Sequence, residues 1–107
     1  MKILSRSTLR QFWERGGRED AKQPLVAWFR EVEKANWRSA ADVKALYRSA
    51  DVVSNGRIVF NIAGNKYRLV VWVKFSLRLV LIKWVGTHAE YDRIDVTTIG
   101  LARRRRR

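Results

Sequence analysis

The chain has 107 residues, and its 23 Lys and Arg against 10 Asp and Glu give a formal charge of +13. This length suits one domain, and the 47% of apolar residues are sufficient for a hydrophobic core, which excludes a disordered polyelectrolyte. The absence of cysteine excludes disulfides, thiolate metal sites and a cysteine nucleophile. No signal peptide and no apolar run of bilayer length is present, so we expect a cytoplasmic protein without membrane association.

The first half of the chain shows helical periodicity after a short N-terminal strand. Residues 2–4 are predicted to form an edge strand. A first helix is predicted to begin near Ser7, capped by a Ser or Thr side chain, and to end at Gly16-Gly17. A second helix is predicted to start at 21–24 and to close at 36–37, and a third to cover 39–47.

The second half shows the alternation of strands. Strands are predicted at 57–62, 67–75 and 78–85, and a last helix at 88–94 with Thr87 as its cap. Connections this short require antiparallel pairing. The predicted order is therefore β-α-α-α-β-β-β-α, a single α+β domain over residues 1–102, followed by a disordered arginine tail at 103–107.

The long middle strand predicts two different sheet faces. One face is assigned to the core, and it carries Tyr67, Leu69, Val71, Val73 and Phe75. The other is expected to be open and cationic, and it carries Lys66, Arg68, Val70, Trp72 and Lys74. No carboxylate occurs between Asp51 and Glu90, whereas six Lys and Arg do, which favours an anion-binding surface over a merely solvated one.

The last strand leads directly to the single histidine, His88. Tyr91 lies three residues further on and would share its helical face. With Arg68 from the open face, these side chains match what metal-free RNA cleavage requires, namely proton transfer near neutral pH and a bidentate hold on a phosphate. We expect no metal and no cofactor, since metal-ligand spacing and nucleotide-binding motifs are both missing. The alternatives are that His88 is a structural hydrogen-bonding residue and that Arg68 pairs with Asp92.

Two blocks carry a resemblance to a known family. The first has the form FN-x-x-GN-x-x-R and spans residues 60–68; the second, THxEYD, spans 87–92. The chain resembles in these blocks the HigB toxins of bacterial type II toxin–antitoxin systems. This resemblance implies the RelE/ParE-like fold, with helices on one face of an antiparallel sheet. It also implies an mRNA endoribonuclease, ribosome-associated in several relatives, that is silenced by a helix-turn-helix antitoxin.

The resemblance also implies roles for individual residues. Arg68, His88 and Tyr91 are expected to be catalytic, and which of His88 and Tyr91 acts as base stays open. RNA binding is expected of a second set, namely Asn61, Asn65, Lys66 and Lys74, and also of Arg57, which belongs to the acid-free cationic stretch. Structural alternatives are that Asn61 satisfies the strand edge and that Asn65 serves only a hairpin turn.

Two other functions compete with RNA cleavage. One is a ParE-like toxin of the same fold, which inhibits DNA gyrase and has no nuclease activity. The other is a non-enzymatic protein that binds RNA or the ribosome.

Overall fold

The computed structural model describes residues 1–100; the predicted arginine tail and the end of the predicted domain lie outside these residues. Residues 1–100 form five strands and four α-helices. They are β1 (Lys2–Leu4), α1 (Ser7–Trp13), α2 (Lys22–Lys34), α3 (Ala40–Leu46), β2 (Asp51–Val53), β3 (Arg57–Ile62), β4 (Tyr67–Lys74), β5 (Leu79–Thr87) and α4 (His88–Tyr91). The predicted α+β class is confirmed. Each helix within residues 1–100 is too short or too polar to cross a bilayer.

The strands form one sheet in the order β1-β5-β4-β3-β2. The pairs β3–β4 and β4–β5 are antiparallel, as the short connections predict, and the β2–β3 pair is antiparallel too. β1 is an edge strand, as predicted, and it runs parallel to β5. The helices carry the chain from β1 to the opposite edge of the sheet, where β2 begins, so the connection between β1 and β5 is long enough for parallel pairing. The sequence does not predict β2, since three residues are too few for a periodicity to show.

The helices cover one face of this sheet. From α2, Leu25, Trp28 and Val32 are buried, and the Trp28 ring packs edge-on against Phe60 of β3 with centroids 5.4 Å apart. From α1, the Phe12 ring packs in the same way against Tyr67 at 5.3 Å. Four of the five residues assigned to the core face, Tyr67, Leu69, Val71 and Val73, are fully or nearly fully buried there, which confirms the assignment. The fifth, Phe75, is partly buried in the 3₁₀ turn after β4.

The predicted cap of the first helix is wrong. α1 begins after Arg6, whose side chain makes no capping hydrogen bond, and neither Ser7 nor Thr8 caps it. The chain enters the helix through Ser5, which has φ of 70° and whose carbonyl accepts from the Thr8 amide at 3.0 Å. The helix also ends at Trp13, before the two glycines, and Gly17 takes the left-handed conformation in the turn that follows.

The second sheet face is not open across its centre, contrary to expectation. Arg57, Val59 and Val70 lie on it and are each at most 1% exposed. The Arg57 guanidinium donates to the backbone carbonyls of Val96, at 3.1 Å, and Ile99, so the segment 96–100 lies across this part of the face. Near this crossing β5 carries a bulge at Lys83, opposite the Val70–Val71 step of β4.

Candidate active site

The structure brings Arg68, His88 and Tyr91 together at the N-terminal end of β4. The Arg68 Nη2 atom lies 2.9 Å from His88 Nε2. The Arg68 Cζ atom lies 5.0 Å from the centroid of the Tyr91 ring, a cation–π contact. The expected alternative, an ion pair between Arg68 and Asp92, is not formed within residues 1–100.

The register of two strands explains this convergence. Arg68 of β4 pairs directly with Gly86 of β5, and β5 ends one residue later. α4 therefore starts beside Arg68, and the His88 amide donates to the Lys66 carbonyl at 3.2 Å. Local sequence order thus places both catalytic candidates of α4 beside the guanidinium.

A capping box fixes the start of α4. The Thr87 hydroxyl accepts from the Glu90 amide at 3.1 Å, and Glu90 Oε1 accepts from the Thr87 amide at 2.9 Å. Such reciprocal bonds satisfy two of the free amides at a helix start. The predicted capping role of Thr87 is confirmed, although the helix ends at Tyr91 and is shorter than expected.

The contact with Arg68 defines the tautomer of His88. A guanidinium can only donate hydrogen bonds, so His88 Nε2 is the acceptor in this contact, and the tautomer assigned to the ring carries its proton on Nδ1. Nδ1 faces Asp92 Oδ2 at 3.7 Å, one helical turn later. The His88 side chain is 45% exposed, so the imidazole lies within reach of a ligand.

The Tyr91 phenol is a weak acid in this environment. Burial raises the pKa of Tyr91 above its ordinary value, the carboxylates of Asp51 and Asp92 raise it further, and the nearby Arg68 guanidinium lowers it in part. The phenol therefore stays protonated at neutral pH and is available as a hydrogen-bond donor. Its ring lies 6.2 Å from that of Trp84.

Gly86 leaves the room that the Trp84 indole occupies beside the site. A Cβ atom at Gly86 would collide with the six-membered ring of Trp84 and lie 2.8 Å from Glu90 Oε1. Only a glycine lets the indole, the α4 carboxylate and β5 approach this closely. The close approach packs α4 tightly onto the strand that pairs with Arg68.

Two contacts from the segment between α1 and α2 hold the site from outside. Arg18 Nη2 donates to Glu90 Oε2 at 2.6 Å, and its Cζ lies 4.8 Å from the centroid of the Phe12 ring. The Thr87 amide is the main cause that lowers the pKa of Glu90, and Arg18 lowers it further. Glu90 is therefore a carboxylate that ties α4 to the N-terminal part of the chain.

The second contact acts on the start of β4. Asp20 accepts hydrogen bonds from the Lys66 ammonium and the Tyr67 hydroxyl. The Lys66 and Tyr67 bonds lower the pKa of Asp20. Because the Lys66 carbonyl also accepts from the His88 amide, this contact and the Arg18–Glu90 pair close a ring of bonds around α4.

The predicted RNA-binding residues divide into two groups. Asn61 pairs with Arg68 across the β3–β4 ladder, and Asn65 and Lys66 lie in the hairpin turn next to it, so these three adjoin the site. Lys74 lies six residues along β4 from Arg68, about 20 Å away at roughly 3.3 Å per residue. Arg57 is buried beneath the C-terminal segment, and this burial does not fit a contact with RNA.

Two buried polar atoms at the site have no hydrogen-bond partner among residues 1–100. They are the Asn61 Oδ1 acceptor and the Arg68 Nε donor, on directly paired residues of neighbouring strands. The Asn61 amide nitrogen makes one long bond, 3.5 Å, to the Ser49 carbonyl. Unsatisfied polar groups at a site are a common sign of a ligand that would complete them.

Three residues that hold the site, Arg18, Asp20 and Glu90, are not predicted from the sequence. Thr87 and Glu90 have the spacing of a capping box, and this pattern could have assigned Glu90 its structural role. Nothing in the sequence signals that Arg18 meets Glu90 or that Asp20 meets Lys66, because the partners are 72 and 46 residues apart.

Comparison with known proteins places this arrangement in a family. A family model described as HigB toxin, the RelE-like toxic component of a toxin–antitoxin system, matches residues 21–94. The chain belongs to the HigB toxin family. The mRNA interferase toxin HigB of Escherichia coli K12 is 34% identical over 73 residues, which cover 66% of this chain and 70% of that protein. The mRNA interferases HigB of Escherichia coli O157:H7 and Shigella flexneri match to the same extent.

The resemblance to HigB toxins is therefore confirmed. Arg68, His88 and Tyr91 lie inside the span that the HigB family model matches, whereas Arg18 and Asp20 precede it. The catalytic candidates thus belong to the part of the chain shared with the family, and the two outer contacts come from the segment before it.

Proposed function

We propose that this HigB family member is an mRNA endoribonuclease that needs no metal, the toxin of a type II toxin–antitoxin system. The observation that carries the proposal is the 2.9 Å contact between Arg68 Nη2 and His88 Nε2 at a partly exposed site. The Arg68 guanidinium, which would bind the phosphate, thus lies next to the His88 imidazole, which would act as base for the adjacent hydroxyl. The family match and the mRNA interferase activity for which the Escherichia coli relative is named support the same function.

His88 is the general base in this proposal. Its Nε2 atom takes the proton of a ribose 2′-hydroxyl, and the resulting oxygen attacks the adjacent phosphorus. Asp92, 3.7 Å from Nδ1, stabilises the imidazolium that forms. Once the Arg68 guanidinium has moved to the phosphate, Nε2 is free to accept that proton.

Arg68 and Tyr91 take the remaining tasks. The guanidinium leaves His88 for the phosphate oxygens and stabilises the charge that develops as the phosphorus becomes five-coordinate. As the bond to the 5′-oxygen breaks, the protonated Tyr91 phenol supplies a proton to that oxygen, directly or through water. The products are a 2′,3′-cyclic phosphate and a 5′-hydroxyl. His88 thus acts as base, Arg68 stabilises the phosphate charge and Tyr91 acts as acid.

The neighbouring polar residues fit substrate binding. The unpartnered Asn61 Oδ1 and Arg68 Nε atoms offer an acceptor and a donor side by side, which suits a ribose hydroxyl next to a phosphate. Asn65 and Lys66 on the hairpin turn contribute further contacts to the RNA backbone. Lys74, about 20 Å away, contributes long-range attraction only.

The test is toxicity and RNA cleavage in cells induced for single variants. We expect His88→Ala to lose roughly a hundredfold or more of the cleavage seen by primer extension on cellular mRNA, and Arg68→Ala to lose a similar amount. Lys74→Ala is the matched control, since it removes one cation far from the site, and we expect it to stay close to wild type. A toxic His88→Ala variant without new RNA ends would favour the ParE-like alternative, inhibition of DNA gyrase, and would contradict the proposal.

We further propose that cleavage takes place on ribosome-bound messages and that the antitoxin has a helix-turn-helix domain. The formal charge of +13 supports association with ribosomal RNA. Cuts that fall in phase with codons, and disappear when translation is blocked before induction, are expected for ribosome-bound cleavage; cuts on free mRNA would contradict it. An adjacent gene for a small helix-turn-helix protein that rescues growth would support the antitoxin assignment.

A further inference from the structure

A groove of about 410 Å³ lies next to the active site, between α1 on one side and β5 with α4 on the other. Its walls come from three parts of the chain. α1 and the residues after it contribute Thr8, Gln11 and Arg15; β5 contributes Lys83 and Trp84; α4 and the turn after it contribute Glu90 and Arg93. We call it the α1–β5 groove. Its volume lies within the roughly 300–1,000 Å³ typical of ligand clefts.

The charge of this groove is strongly positive. Arg15 and Arg93 form no ion pair within residues 1–100, and neither does Lys83. The acidic residue of the wall, Glu90, already has its carboxylate neutralised by Arg18. Three uncompensated cations thus line one cleft.

Lys83 adds evidence that an anion would be favoured. Burial and the nearby Arg57 guanidinium lower the pKa of Lys83. The ammonium is therefore held where partial removal from solvent and the Arg57 guanidinium disfavour its charge, and a phosphate beside it would offset that cost. Its position follows from the β5 bulge, which sets Lys83 out of the regular alternation of the strand.

The groove is separated from the catalytic residues by α4, and none of Arg68, His88 and Tyr91 lines it. Glu90 of the wall stands between His88 and Tyr91 in sequence on the single turn of α4. Trp84, whose indole forms part of the wall, lies with its ring centroid 6.2 Å from that of Tyr91. A chain held at Arg68 would therefore need to pass only α4 to enter the groove.

We propose that the α1–β5 groove binds the single-stranded RNA that flanks the scissile phosphate, with Arg15, Lys83 and Arg93 on its phosphates and Trp84 against a base. This inference rests on the proposed ribonuclease function and assigns its extended substrate site. Basic side chains that track a backbone beside an aromatic ring are the usual means of binding single strands without reading their sequence. The Gln11 amide and the Thr8 hydroxyl add polar groups for ribose or base edges.

The experiment measures RNA affinity in the His88→Ala background, in which the RNA is not cut. Fluorescence anisotropy follows the binding of two labelled random-sequence RNAs, one of about 12 nucleotides and one of about 4, because sites for single strands span roughly 4–16 nucleotides. Arg15→Ala and Arg93→Ala are compared with Arg48→Ala. Arg48 is exposed on the connection between α3 and β2, at the sheet edge away from β5, and its loss removes the same charge.

We expect Arg15→Ala and Arg93→Ala each to weaken binding of the longer RNA by roughly threefold to tenfold, and to lower the slope of log affinity against log salt by about 0.7 for each lost phosphate contact. The shorter RNA, which the catalytic end alone can hold, should bind all variants about equally. Equal losses for Arg15→Ala, Arg93→Ala and Arg48→Ala would overturn the proposal, since they would reflect overall charge only. Unchanged binding of the longer RNA by both groove variants would overturn it too.

These outcomes are distinct from a failure of the proposed function. The groove test reads binding and not cleavage, so it remains decisive even if induced cells show no RNA ends that depend on His88. Conversely, cleavage that depends on His88, with groove variants that bind the longer RNA like wild type, would retain the nuclease and reject the groove.

Discussion

The pair between Arg18 and Glu90 is the contact through which the N-terminal segment holds the catalytic helix. Its two charged atoms lie 2.6 Å apart, and the side chains are 20% and 40% exposed, so water screens the pair only in part. We expect Arg18→Ala to lower the free energy of unfolding by about 1–3 kcal/mol, the range for a charge-assisted hydrogen bond that leaves a partly buried partner unpaired. α4 should then lose its fixed position relative to Arg68.

A double-mutant cycle measures this pair directly. Glu90→Gln removes the charge and leaves an amide oxygen that can still accept from the Thr87 amide, so the capping box survives. Urea unfolding of wild type, Arg18→Ala, Glu90→Gln and the double variant should give a coupling energy of about 0.5–3 kcal/mol. Cleavage should fall by roughly tenfold to a hundredfold in Arg18→Ala, because a displacement of about 1 Å in catalytic groups has that effect.

The control removes an arginine that makes an exposed pair. Arg10 and Glu14 lie 4.0 Å apart with both side chains 62% exposed, and such pairs contribute about 0–1 kcal/mol. We therefore expect Arg10→Ala to unfold and cleave nearly as wild type does. If Arg18→Ala is no more destabilising than Arg10→Ala, or if the cycle is additive, α4 is not held in the way described.

Three further predictions concern the packing and charge around the site. Gly86→Ala should lose about 1–3 kcal/mol of unfolding free energy, because a methyl group overpacks against Trp84, whereas Gly16→Ala, with no neighbour within 4 Å, should be nearly neutral in urea unfolding. Arg57→Met leaves the carbonyls of Val96 and Ile99 without their donor. Amide hydrogen exchange in residues 95–100 should then accelerate, and the free energy of unfolding should fall by about 1–3 kcal/mol. Unchanged exchange would contradict the role of Arg57 in holding this segment. Because the pKa of Glu90 is lowered in the folded protein, its carboxylate contributes to the free energy of unfolding above pH 4.5, and this contribution is lost as the pH falls below that value. The stability of Glu90→Gln should therefore fall less steeply than that of wild type below pH 4.5. Parallel pH profiles of the two proteins would refute this.

The sequence is sufficient where a feature depends on local order. The period of two in β4 assigns Tyr67 and Arg68 to opposite faces, and the short β4–β5 connection requires an antiparallel pair. Together they place the residue after β5 beside Arg68, which is why the meeting of Arg68 and His88 can be expected from the order of residues alone.

The failures arise where distant segments meet. Arg57 belongs to an acid-free, cationic stretch, and on that basis it is expected to contact RNA. Its burial follows from carbonyls of Val96 and Ile99, about forty residues later, in a segment without a periodic pattern. The Arg18–Glu90 pair is not predicted for the same reason, since its partners are distant in the sequence. The start of α1 after Arg6 is not predicted because backbone carbonyls, and no side chain, accept from the first amides of the helix.

The most direct test of the account is the chemistry of the RNA ends produced in cells. Proton removal from the 2′-hydroxyl by His88, followed by attack on the phosphorus that Arg68 holds, must leave 2′,3′-cyclic phosphate and 5′-hydroxyl ends, and these ends should be absent on induction of His88→Ala. Fragments that instead carry 3′-hydroxyl and 5′-phosphate ends, or that persist unchanged in His88→Ala, would contradict it.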